Sequence, residues 1–158
     1  MLQITLAALH LFALALGLPG AVARGQALTL AARELPGTAA LRRAFGADSR
    51  WGAAAVLWIG TGLWRYLGDA EKGAAYYNRN HFFLAKMGFL VVILLLEVWP
   101  AVTLTRWRSA VRRGAVDAIA PRLARRIAAI SYVQALLVAL MVIFAASMAR
   151  GFGARPGG

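Results

Sequence analysis

The sequence predicts an all-α fold, an integral membrane four-helix bundle, and three observations predict it. Of the 158 residues 61% are hydrophobic and the mean hydropathy is +0.64, against roughly 45–50% apolar residues in soluble domains. The apolar residues gather into four runs, each near the roughly 20 residues a helix needs to cross about 30 Å of hydrocarbon. The 18 basic and 6 acidic residues, net +12, fall mostly in the gaps between those runs. No run alternates as barrel strands do, and a lone strand would leave backbone groups unpaired in lipid, so each run reads as a helix.

The first span covers residues 2–32. It is uncharged from Leu2 to Ala23 and contains Pro19-Gly20, where a kink is expected. Ala21-Val22-Ala23 has the look of a signal-peptide cleavage site, but no Lys or Arg precedes the run and it is long for such a segment, so it reads as a retained helix. The second span, 51–67, is short and small-residued; Gly52, Ala55, Gly60 and Gly62 allow close backbone approach and put this helix at the centre of the packing. The third, 81–104, contains FLVVILLLEVW, and the fourth, 127–149, is IAAISYVQALLVALMVIFAASMA. No internal repeat stands out, so residues 1–150 form one domain and 151–158 a flexible tail.

Orientation follows from the basic residues in the connections. Residues 33–50 hold four arginines and residues 106–126 seven, whereas the opposite side holds five basic residues, Arg65, Lys72, Arg79, Arg150 and Arg155. Both basic connections are therefore cytoplasmic and both termini lie outside a cytoplasmic (inner) membrane. Trp51 and Trp107 read as inner-interface anchors. The 106–126 loop meets anionic lipid headgroups, each Arg contributing about 1 kcal/mol near the surface.

Four ionisable residues fall inside spans, where each costs about 2.5–3.5 kcal/mol and so faces the bundle or a cavity. Arg24 and Glu97 both sit roughly 10–12 Å from the inner ends of their helices and can pair. That pair either pins two helices in register or relays a proton or substrate. On the outer half, His10 and Lys86 lie within about one turn of each other in depth. Ligation of a haem by His10 and His81 together is disfavoured by an offset of roughly 12 Å.

The absence of cysteine excludes disulfides, thiolate zinc sites, ordinary iron–sulfur clusters and covalently attached haem. There is no Walker, Rossmann, HExxH or nucleophile-elbow motif, so no enzyme class is indicated. The basic residues flank membrane spans, which rules against nucleic acid as the partner.

The blocks WGAAAVLWIGTGLWR, EKGAAYYNRNHFFLAKM, LLLEVWPAVTLTRWR and ISYVQ, with the first-span histidine, resemble the bacterial predicted-membrane-protein family known as domain of unknown function 2214. That resemblance covers most of the chain and implies a four-span inner-membrane protein without an assigned activity. More distantly, the layout is similar to HemJ-type protoporphyrinogen oxidases and copper-resistance-type membrane proteins. It implies a b-type haem with His10 as iron ligand and Arg24 and Lys86 as cofactor-binding residues. Glu97 and the lack of a second in-span histidine depart from that pattern. Three functions stay open: a structural or accessory bundle with an intramembrane polar site, a haem-binding redox protein, and a small transporter, which would need a homo-oligomer because four spans without inverted repeats make no pathway alone.

Overall fold

Four long helices make up the computed structural model, which describes residues 1–33, 38–67, 80–115 and 120–152. They are α1 (Leu2–Ala31), α2 (Thr38–Leu67), α3 (His81–Arg112) and α4 (Pro121–Ala149). There is no strand among the described residues, and the fold is an all-α bundle. Three helices, α1, α3 and α4, are long and apolar enough to cross a membrane; α2 is as long but less apolar. The outward faces suit lipid and not water, with Phe12 66% exposed, Leu95 69% and Leu136 60%.

Three helices overrun the predicted spans. α2 begins at Thr38, well before residue 51, because Leu41, Ala44, Ala47 and Trp51 recur at helical spacing on a buried face while Arg42, Arg43 and Arg50 point outward. α3 continues past residue 104 to Arg112, and α4 starts at Pro121, whose fixed φ suits the first helical position. The expected 106–126 loop is therefore largely two helix ends. Pro19 lies within α1, which is one helix from end to end, and Pro100 within α3.

The helix ends have chemical causes. Asn80 caps α3: its Oδ1 accepts from the amides of Phe82 (3.0 Å) and Phe83 (3.4 Å). After α3, Gly114 at φ +76° lets Ala115 N–H reach the Ala110 carbonyl and Gly114 N–H the Val111 carbonyl; Gly151 at φ +87° repeats the arrangement after α4, with Phe152 bonded to Ser147 and Gly151 to Met148. The Phe152 carbonyl also accepts from Asn80 Nδ2 at 3.2 Å. Gly151 and Phe152, expected in the free tail, are thus the stop of α4, held against the start of α3. The rest of that tail, and Lys72, Arg79 and Arg155 of the charge count, lie outside the described residues.

α1, and not α2, is the central helix. It packs along both α2 and α4, α3 packs on α4, and α2 and α3 barely touch. The reason lies in the glycines of α1. A Cβ on Gly20 would come within 3.3 Å of the Trp51 backbone nitrogen, and one on Gly25 within 2.9 Å of the Tyr132 ring, whereas Gly52 and Gly60 of α2 face open space. Two apolar layers result. Leu28, Leu41, Leu104, Trp107 and Ile127 form one, and Ala21, Trp51, Ile93, Val138 and Met141 the other. Trp51 and Trp107 are both 5% exposed and so belong to these layers rather than to an interfacial belt. In the sequence of α1, Arg24 falls between Ala21 of one layer and Leu28 of the other.

Candidate functional site

Arg24 is fully buried, and all five N–H bonds of its guanidinium find acceptors on the other three helices. Nη1 and Nη2 donate to Glu97 Oε1 and Oε2 at 2.7 and 3.0 Å, a bidentate pairing with α3. Nη1 also donates to Asp48 Oδ1 of α2 at 2.8 Å, Nε to Ser131 Oγ of α4 at 2.9 Å, and Nη2 to Gln134 Oε1 of α4 at 2.6 Å. The guanidinium carbon lies 5.9 Å from the Trp51 ring centroid.

The acceptors are themselves held. Glu97 Oε2 takes further bonds from Trp51 Nε1 (3.0 Å) and Gln134 Nε2 (2.8 Å), and Ser131 donates to the Ile127 carbonyl of its own helix at 2.8 Å. Asp48 Oδ2 accepts from Arg108 Nη2 at 2.7 Å, and the same nitrogen reaches the Phe45 carbonyl at 2.8 Å. Two arginines therefore meet two carboxylates, and the centre carries no net charge, which is what a low-dielectric setting tolerates. No group of three His, Asp or Glu that could hold a metal occurs among the described residues.

Of the residues singled out in the sequence, the structure brings Arg24 and Glu97 together and keeps His10 and Lys86 apart from them. His10 Nδ1 lies 2.9 Å from Thr61 Oγ1 of α2. That hydroxyl also has the Leu57 (2.8 Å) and Trp58 (3.1 Å) carbonyls as acceptors for its own proton, which leaves its oxygen able to accept from an imidazole Nδ1–H. The ring also rests 5.6 Å from that of Trp58, and a Cβ on Gly62 would lie 3.2 Å from His10 Cε1. Lys86 is half-buried on α3, and its charge, with that of Arg65, reaches the imidazole. His81 begins α3 and is exposed.

A family model described as Predicted membrane protein (DUF2214) matches residues 2–153. The chain belongs to that family. No match is found among curated proteins, and none among solved structures.

In this DUF2214 protein Arg24 is not placed to hold a haem. The cavity beside α1, lined by Ala13, Gly17, Trp58 and Leu90 among others, measures about 20 Å³, room for about one water, and His10 does not line it. Arg24 has no N–H left for a propionate. Sequence reasoning missed Asp48, Arg108, Ser131, Gln134 and Thr61. Two signals were available in the DUF2214 chain: Asp48 is an acid among arginines on a helical repeat, and Ser131 and Gln134 stand three apart, on one helix face, inside an apolar span.

Proposed function

We propose that this protein is a four-span protein of the cytoplasmic membrane with both termini outside, and that its Arg24 centre is a permanent clamp that fixes the register of the bundle. The protein then acts as a non-enzymatic structural or accessory component. One observation carries this reading: every donor of Arg24 is spent on an acceptor from another helix, which suits a fixed joint and leaves nothing for a substrate. The neutral charge count and the apolar layers on either side support it. The basic helix ends from Arg106 to Arg126 face the anionic headgroups of the inner leaflet, as the excess of arginine on that side supports.

The test is Arg24→Lys. Lysine keeps the charge but offers three donors from a single nitrogen and cannot make the forked contact. A clamp predicts a loss of thermal stability in detergent close to that of Arg24→Leu. A site that needs only positive charge predicts near wild-type stability for Arg24→Lys, and that outcome would reject the clamp.

A further inference from the structure

α2 and α3 barely touch, and the seam between them is chemically divided. At its Arg-rich end is a cleft of about 620 Å³ lined by Arg42, Phe45 and Ser49 of α2 and by Arg108 and Arg112 of α3, among others. Arg42 and Arg112 are exposed and form no ion pair among the described residues. Arg108 is tied to Asp48 through Nη2, yet its buried Nε has no hydrogen-bond partner. Asp48 offsets only one of the three charges, and no acid lines the cleft. Farther along the same seam Ala55 and Ile59 of α2 and Leu90 and Leu94 of α3, none of them buried, line the apolar cavity of about 20 Å³ described above.

We propose that this seam binds one anionic phospholipid, its phosphate held by Arg42, Arg108 and Arg112 and an acyl chain lying on the outside of the bundle against Ala55, Ile59, Leu90 and Leu94. The dimensions agree. From Arg42 to Ile59 the helix rises about 25 Å, close to the roughly 20 Å depth of one leaflet with its headgroup. Arginine forks match phosphate oxygens, and the Ser49 hydroxyl lies within the same cleft as a further donor. Placing this lipid in the inner leaflet rests on the topology proposed above; the binding itself does not, so it is tested in detergent, where topology plays no part.

The full-length protein is titrated with short-chain phosphatidylglycerol, with phosphatidylcholine of equal chain length and with glycerol phosphate, and bound molecules are counted by native mass spectrometry. One phosphatidylglycerol is expected per chain, with phosphatidylcholine and glycerol phosphate both markedly weaker. The double variant Arg42→Gln/Arg112→Gln weakens binding about 30-fold, from about fivefold per arginine, while Arg122→Gln/Arg125→Gln, on the start of α4 outside the cleft, changes it less than about threefold. Ala55→Trp fills the apolar strip and weakens the lipid without affecting glycerol phosphate. Circular dichroism verifies that each variant is folded. Equal losses from the two arginine pairs would reduce the cleft to a diffuse basic surface. Glycerol phosphate binding as tightly as the lipid would make it a free-phosphate site. Either result, or no retained lipid in the wild type, overturns the proposal.

Discussion

Replacing Arg24 with leucine removes five hydrogen bonds at once and leaves Glu97 facing Asp48 without the cation between them. At the average of about 0.6 kcal/mol for a hydrogen bond between membrane helices, five bonds amount to about 3 kcal/mol. Removing one partner of a buried ion pair costs about 3–5 kcal/mol, so the two routes meet near 3 kcal/mol. Glu97→Leu strands Arg24 in the same way, although Asp48 still compensates part of its charge. The double variant Arg24→Leu/Glu97→Leu strands neither, and Asp48 keeps its bond to Arg108. It is expected to cost no more than about either single change, which is a coupling of at least about 2 kcal/mol. The assay is equilibrium unfolding in mixed micelles, following helicity as denaturing detergent is added. If the two single losses add to within about 0.5 kcal/mol in the double variant, Arg24 and Glu97 are independent and the reasoning fails.

Three further outcomes follow from the same geometry. Gly20→Val drives a side chain into the Trp51 backbone and should cost about 1–3 kcal/mol, whereas Gly52→Ala, which meets open space, should stabilise by up to about 1 kcal/mol through helix propensity; unfolding midpoints compare the two. Asn80→Ala removes the cap of α3 and the tie to Phe152, with an expected loss of about 0.5–2 kcal/mol in the same assay. Thr61→Val deletes the acceptor that holds His10 in its Nδ1–H form, so nitrogen NMR of the imidazole should show that tautomer in the wild type and its loss in the variant; an unchanged spectrum would remove Thr61 as the partner.

What could be read in the sequence was governed by hydrophobic length. α1, α3 and α4 announce themselves because a long apolar run with at most two charges has few alternatives. The first half of α2 does not, since Arg42, Arg43, Asp48 and Arg50 break the apolar run even though Leu41, Ala44, Ala47 and Trp51 keep the helical period. Glycine content alone misplaced the central helix. Gly52 and Gly60 look like a packing surface, but which face meets a neighbour is decided by tertiary contact, and that contact falls on Gly17, Gly20 and Gly25 of α1. Depth arithmetic put Arg24 and Glu97 at one level, and the structure has them 2.7 Å apart. It could not supply Asp48 or Arg108, which looked like loop charges, nor Ser131 and Gln134, whose neutral side chains cost too little to stand out in a span. The pairing of His10 with Thr61 depends on how α1 and α2 are rotated against each other, which residue counting along one helix does not fix.

The central claim is that α2, for all its charges, crosses the bilayer as the other three helices do and brings Asp48 and Trp51 to Arg24 inside it. The chain contains no cysteine, so single cysteines can be introduced at Gln3, Ala115 and Arg150 without background. In intact cells an impermeant thiol reagent should label Gln3→Cys and Arg150→Cys, and should reach Ala115→Cys only after the membrane is opened. Labelling of residues 3 and 150 from opposite sides would mean an odd number of crossings and would contradict the account.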